Sequence, residues 1–155
     1  MSLTADFDLA FEFTMKEEGV KKDAQGNITS TGLNTTPGDP GGTTNFGFAQ
    51  KSNPDIDVAK LTWDEAKTLA YSRYWLYAGC DKFQWPENII IFDTCFNQSK
   101  AEALQLVLAG TTGNEMLWAR LLQYASKHPA NPAFTRWWLV RVLHLRVYIL
   151  RTPHA

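Results

Sequence analysis

The stretch from residue 20 to residue 47 constrains this chain most, because it cannot be helix. It holds Gly26, Gly32, Gly38, Gly41, Gly42, Gly47, Pro37 and Pro40 among many threonines and asparagines. A connection of that length inside a compact chain is usually functional or unstructured. It closes with Asp39-Pro40-Gly41-Gly42-Thr43-Thr44-Asn45-Phe46-Gly47, where proline fixes φ and the glycines supply φ > 0. The turn delivers Thr43, Thr44 and Asn45 in quick succession, small polar groups suited to hydrogen bonding with sugar hydroxyls and acetamides. A purely structural turn has the same pattern. Asn27-Ile28-Thr29-Ser30 has β character and predicts a short hairpin.

Before this stretch, residues 4 to 18 read as an amphipathic helix. Thr4 is placed to cap it, with Asp6 and Asp8 near the positive end of its dipole. With Phe7 as zero, Phe11 falls at about 40°, Met15 at about 80° and Thr14 at about −20°. Glu18 falls at about 20°, inside the apolar stripe, and Glu17 at about −80°, at its edge. Periodicity therefore picks Glu18 as the inward carboxyl, and Gly19 as the stop. A carboxyl in the last turn faces the negative end of the dipole. Partial desolvation adds to that effect, and both favour the neutral acid that a general acid requires. The competing reading is a solvated helix end carrying two ordinary glutamates.

Downstream, capping boxes mark two helix starts, Thr62 with Glu65 and Ser99 with Glu102. The first of these helices runs to about Ala78 before Gly79, with Ala66, Leu69, Ala70, Tyr74 and Tyr77 on one face. Trp85-Pro86 opens an apolar helix to about Phe96. Further helices span Asn114 to Lys127 and Pro132 to about Leu150. No internal repeat or linker interrupts them. The expected fold is mainly α: a single helical domain, 1–155, with a long Gly-rich loop or small hairpin after the first helix.

The 155 residues, 45% apolar and 20% charged, suffice for one core without staples. A net charge of −1 gives no case for nucleic acid. Cys80 and Cys95 lack metal-ligand spacing and read as buried free thiols. His128, His144 and His154 form no metal-binding pattern, so neither metal nor cofactor is expected. Met1 to Asp6 carries no secretory signal pattern, which predicts synthesis in the cytoplasm. The most apolar run, Trp137 to Leu150, is broken by Arg141 and Arg146 and is short of the roughly 20 residues of a membrane span. Arg136, Arg141, Arg146 and Arg151 follow one another at about 140° around the last helix. They are either snorkelling arginines on a core-packed helix or a cationic tail that meets anionic envelope polymers or lipid heads.

These residues resemble the glycoside hydrolase family 108 type of endolysin, lysozyme-like N-acetylmuramidases of phages and bacteria. The family pattern is a helix ending Glu-Gly-Gly and a loop ending Asp-Pro-Gly-Gly-x-Thr-Asn-Tyr-Gly-Ile. Here these stand as Glu18-Gly19-Val20 and Asp39-Pro40-Gly41-Gly42-Thr43-Thr44-Asn45-Phe46-Gly47-Phe48. The family's Leu-Thr-x-x-Glu-Ala and Tyr-Trp match Leu61 to Ala66 and Tyr74-Trp75. Its Phe-Asp-x-x-x-Asn and Leu-Gln match Phe92 to Asn97 and Leu104-Gln105. Val20 departs from the second glycine, and Lys21 to Gly38 is longer than the pattern.

The resemblance implies a lysozyme-like fold. Residues 1–80 would be the catalytic portion, with Glu18 and the 39–47 loop, and residues 86–150 a peptidoglycan-binding-like helical portion. It implies Glu18 as general acid on the bond between N-acetylmuramic acid and N-acetylglucosamine. Asp39 is the first candidate for a second carboxylate, or else bonds only to its own turn. Thr43, Thr44 and Asn45 would position sugar or water, and Tyr74, Trp75 and Asn97 would wall a cleft. The expected partner is a peptidoglycan strand, met in the periplasm or cell wall. The alternatives are a lytic transglycosylase and a non-catalytic peptidoglycan-binding or secretion-related module.

Overall fold

A computed structural model describes residues 4–35, 42–110, 112–127 and 132–153. The described chain is mainly helical, with two small antiparallel hairpins after the first helix. It divides into two compact units, one of Phe11–Leu69 and one of Met1–Ala10 with Ala70–Ala155. Helix α1 (Ala5–Glu17) contributes to both. The Phe7 amide donates to Thr4 Oγ1 at 3.2 Å, the cap expected from sequence. Phe7, Ala10, Phe11, Thr14 and Met15 are all buried, as the helical wheel requires.

The Phe11–Leu69 unit carries the irregular chain. Strands β1 (Lys21–Lys22) and β2 (Ile28–Ser30) form one hairpin, with a shift in register between Lys21 and Lys22. Its turn is closed by Asp23, whose Oδ1 accepts from the Gln25 and Asn27 amides at 2.9 and 2.8 Å. Strands β3 (Thr44–Asn45) and β4 (Phe48–Ala49) form the other. Helix α2 starts at Trp63, and its capping box is made: Thr62 N donates to Glu65 Oε2 at 2.9 Å, and Glu65 N to Thr62 Oγ1 at 3.3 Å. The Trp63 ring ties the unit together, with the rings of Phe11 and Phe46 centred 4.8 and 6.0 Å from it. Lys22 Nζ lies 4.2 Å from the Trp63 ring centre and 2.6 Å from Glu12 Oε1.

The other unit begins where α2 changes its winding. After Ala70 the chain continues as a π-helix over Tyr71–Leu76. The buried positions step from Ala66 to Ala70, then by five residues to Trp75, then to Ala78. A regular wheel puts Tyr74 and Tyr77 on the inner face. The π-turn, which closes i→i+5 bonds, rotates Trp75 inward instead and leaves Tyr77 57% exposed. Trp75 packs edge-on against Phe7 at 5.4 Å and meets Phe92 at 5.8 Å.

Helix α3 (Glu87–Asn97) is the core of this unit. Ile89, Ile90, Ile91 and Phe92 are all fully buried, so over these four positions the helix is apolar all round and must be enclosed. Helices α4 (Lys100–Ala109) and α5 (Gly113–Lys127), the π-helix and the short turn at Cys80–Lys82 supply most of that enclosure, and α6 (Pro132–Arg151) and the start of α1 reach α3 through Arg141 and Asp6. Asn88 Nδ2 donates to Asp6 Oδ2 at 2.6 Å, and the Tyr148 hydroxyl donates to the Leu9 carbonyl at 3.0 Å. Ser99 caps α4 in a reciprocal pair with Glu102. Thr112 and Glu115 make a further capping box at the start of α5, at 2.9 and 3.4 Å. Cys80 and Cys95 are free and buried. Burial pushes both thiols up, Cys95 to about 11, so neither is a ready thiolate near neutral pH.

One polar cluster lies inside this apolar helix packing. Asp93 is fully buried. Arg141 grips it with two bonds, Nε to Oδ2 at 3.1 Å and Nη2 to Oδ1 at 2.7 Å. Arg120, also fully buried, brings Nη1 to 2.8 Å from Oδ2. Arg120 Nη2 donates to the Tyr124 hydroxyl at 3.1 Å, and that hydroxyl donates to Asn97 Oδ1 at 2.6 Å. Arg141 therefore belongs neither to a snorkelling set nor to a cationic tail. It is the bidentate partner of a buried carboxylate. Burial alone would raise the Asp93 carboxyl, but the Arg141 and Arg120 charges outweigh it and hold it well below the usual carboxylate range.

A carboxyl lowered on folding stabilises above its unfolded pKa of about 3.9 and loses that contribution as pH falls toward the folded value. Asp93→Asn, which leaves two buried guanidiniums without their counter-ion, should cost about 3–5 kcal/mol at neutral pH. The deficit should narrow as pH falls below about 4. Denaturant unfolding of both proteins across that range checks it. A deficit under about 1 kcal/mol, or one independent of pH, contradicts it.

Candidate active site

The site is built from the end of α1 outward. The Gly19 amide donates to the Lys16 carbonyl at 3.1 Å, and the Val20 amide to the Met15 carbonyl at 3.0 Å. Gly19 has φ +88°. This pair of bonds around a left-handed glycine is a Schellman stop, and it fixes Glu18 as the residue on which the helix ends. Glu18 still donates its own amide to the Thr14 carbonyl at 2.9 Å. Val20 and Met15, the pair such a stop brings together, are both buried. That gives a physical reason for an aliphatic residue where the family pattern has glycine. Glu17 and Glu18 are both half-buried, so exposure does not separate them. Their places on the backbone do.

From Val20 the chain runs out and back through the β1–β2 hairpin and returns to Glu18. A Cβ added to Gly32 would lie 2.7 Å from the Glu18 carbonyl oxygen, and Gly32 has φ +71°. Only glycine permits both the left-handed backbone and so close an approach. The returning segment then serves as a partner for the second hairpin. The Thr31 carbonyl accepts from the Phe46 amide at 3.0 Å. Asn34 and Thr44 exchange two backbone bonds, both at 2.8 Å. Residues Thr31 to Asn34 thus lie between the end of α1 and strand β3. Glu18 and the Thr43–Asn45 run, separated in sequence by the long loop, are one backbone segment apart.

Each expected polar residue of β3 has a definite place. Thr43 Oγ1 is 3.2 Å from Thr35 Oγ1. Thr44 is half-buried and paired on both edges, with Asn34 and with Ala49. Asn45 is 2% exposed, and its Nδ2 donates to the Val58 carbonyl at 3.0 Å. Its amide group therefore braces β3 against the chain that leads into α2. The turn joining β3 to β4 holds Phe46 and Gly47 at φ +50° and +75°, the geometry of a type I′ hairpin. A left-handed phenylalanine costs about 1–2 kcal/mol. Here its ring is buried against Trp63, which offsets that strain.

Tyr74, Trp75 and Asn97 lie in the other unit. Tyr74 is half-buried, its ring 4.5 Å from that of Phe96. Trp75, expected on a cleft wall, is 1% exposed and offers no face to a sugar. The π-turn has moved it into the core. Asn97 accepts from Tyr124 and so extends the Asp93 cluster. Asp39 lies outside the described residues. Among the described residues no group of three or more His, Cys, Asp or Glu side chains is arranged to hold a metal ion. The structural part of Gly32, and of the Thr31 and Asn34 backbone, has no signature in sequence beyond the glycine itself.

A family model described as Glycosyl hydrolase 108 matches residues 11–98, more than half of the chain. The chain belongs to glycosyl hydrolase family 108. It is a glycoside hydrolase. No curated protein and no solved structure matches it. The family 108 match takes in all of the Phe11–Leu69 unit and ends just after α3, so it contains Glu18 and Thr43–Asn45. Arg120 and Arg141 fall beyond it, and so do α4, α5 and α6.

Gly32→Ala tests how this candidate site is assembled. Gly26 has φ +88° with nothing within 4 Å of an added Cβ, so Gly26→Ala carries the backbone strain alone. Both variants should lose about 1–2 kcal/mol from the left-handed backbone. Only Gly32→Ala should lose further stability, together with at least tenfold in glycan hydrolysis under conditions where it remains folded. Equal behaviour of the two variants contradicts the close approach to Glu18.

Proposed function

We propose that this chain is a peptidoglycan-degrading muramidase of the endolysin type. It hydrolyses the β-1,4 bond between N-acetylmuramic acid and N-acetylglucosamine, with Glu18 as general acid. The observation that carries the reading is the convergence described above. The two motifs of the family resemblance, a helix-terminal glutamate and a Thr-Thr-Asn strand, are held one backbone segment apart by Gly32 and the Asn34–Thr44 bridge.

In this reading Glu18 gives its proton to the glycosidic oxygen as the bond to the anomeric carbon lengthens and positive charge spreads onto the ring oxygen. Thr43 and Thr44 hold the sugar through their hydroxyl groups. Asn45 acts at one remove, keeping β3 in place through its bond to Val58. Asp39, which precedes β3 in the sequence, is the proposed second carboxylate. Its separation from Glu18 would decide between direct attack on the sugar and activation of a water. Tyr74 and Asn97, in the other unit, remain proposed contacts for peptidoglycan in their own right. The reaction belongs outside the membrane, where the wall polymer lies.

The nearest competing reaction, lytic transglycosis, uses one acid/base and closes the muramic acid on itself without water. Digestion of purified peptidoglycan followed by borohydride reduction and mass analysis separates the two. The proposal predicts new reducing ends on N-acetylmuramic acid. Anhydro-muramoyl ends, or reducing ends on N-acetylglucosamine, would overturn it.

A further inference from the structure

Helix α6 presents a face that the glycosidase reading does not use. Leu143, Val147 and Leu150 are 58%, 43% and 65% exposed, and Trp137 is 72% exposed. With Leu143 as zero, Val147 falls at about 40°, Leu150 at about −20° and Arg136 at about 20° on the wheel. Arg146 lies at about −60° on one side of this stripe, and Arg151, His144 and Trp137 lie at about 80–120° on the other. Arg136, His144 and Arg151 are exposed and Arg146 is half-buried. The opposite side of the helix is committed: Arg141, Val142 and Leu145 are buried. From Leu143 to Leu150 the outward face is thus an apolar stripe with Arg146 on one side and His144 and Arg151 on the other, and Arg136 continues the line of the stripe toward the start of the helix. No acidic residue follows Glu115 in the sequence.

We infer that this face of α6 docks on an anionic lipid surface, lying in the plane of the headgroups. Charge and apolarity decide the occupant jointly. A second copy of the chain would set Arg136, Arg146 and Arg151 against their own counterparts, with no carboxylate on either helix to pair them. A hydrated anionic polymer would answer the arginines and leave Leu143, Val147 and Leu150 in water. A lipid surface answers both, because acyl chains cover the stripe while arginine stems reach up to phosphate. The helix cannot instead cross the bilayer, since no described helix is long and apolar enough.

The test is co-sedimentation of the full chain with vesicles, about 30 mol% phosphatidylglycerol in phosphatidylcholine against phosphatidylcholine alone. Two double variants accompany it, Leu143→Gln with Leu150→Gln, and Arg146→Gln with Arg151→Gln. All four side chains lie outside the core, so thermal unfolding should be nearly unchanged. The wild type should bind the anionic vesicles at least tenfold better than the neutral ones. The apolar variant should lose roughly tenfold or more, through lost acyl contact. The charge variant should lose roughly 30-fold, and added salt should weaken wild-type binding. Three outcomes overturn the inference: equal binding to both vesicles, binding that survives the apolar variant, or a stable dimer in sedimentation velocity that the apolar variant dissociates.

Discussion

The approach of Gly32 to the Glu18 carbonyl is the contact on which the candidate site depends. A helix that ends on a glutamate is unremarkable in itself, since solvent can satisfy its last carbonyls. Here the chain stops by a Schellman turn at Gly19, makes a hairpin, and lays a second glycine back against the place where it stopped. Because the meeting is backbone against backbone, it leaves no room for adjustment by side-chain rotamers. The segment it fixes is the one that β3 pairs with. Asn45 then anchors β3 from its other side through the Val58 carbonyl, and Trp63 supports the turn that follows through Phe46. A glutamate and a polar strand distant in sequence are thereby held in register by main-chain geometry.

The other unit is organised by a different constraint. Helix α3 is enclosed, and its buried Asp93 carboxylate is neutralised by Arg120 of α5 and Arg141 of α6. A buried ion cluster adds little net stability over a well-packed apolar one. Separating its members is what costs, because each is then left charged and unpaired in a medium that solvates it poorly. The Asp93 cluster thus penalises any arrangement of α5 and α6 that draws Arg120 or Arg141 away. Tyr124, its ring stacked 5.1 Å from that of Trp138, and Asn97 extend the cluster's hydrogen bonding.

Local rules made much of this legible before any coordinates. The Thr4 cap, the Gly19 stop, the capping boxes at Thr62 and Ser99, the hairpin after α1 and the mainly helical class all rest on interactions within a few residues. Thr112-x-x-Glu115 carries the same signal. Where the reading departed, the cause lay elsewhere in the chain or in a broken period. The family resemblance implies a cleft wall at Trp75, and a wheel of constant winding puts Tyr74 and Tyr77 inside; one π-turn shifts every later position and turns Trp75 into the core instead. Arg141 was read among evenly spaced arginines because its partner, Asp93, lies 48 residues away. Asn45 looked like a ligand for sugar because a short polar side chain after a glycine turn serves equally well as a brace. In sequence Gly32 is one glycine among many; only the carbonyl it packs against sets it apart.

The claim at the centre of this account is that Glu18, and not its neighbour, is the acid. The direct measurement compares Glu18→Gln and Glu17→Gln with the wild type on purified peptidoglycan, with circular dichroism to confirm folding. Replacing a general acid by its amide removes the proton while keeping the shape. Glu18→Gln should therefore lose roughly 10²–10⁴-fold in the rate of glycan cleavage, with its unfolding midpoint nearly unchanged, while Glu17→Gln stays within about threefold of wild type. A folded Glu18→Gln protein that still cleaves at near wild-type rate, or a Glu17→Gln protein that does not, would contradict the account.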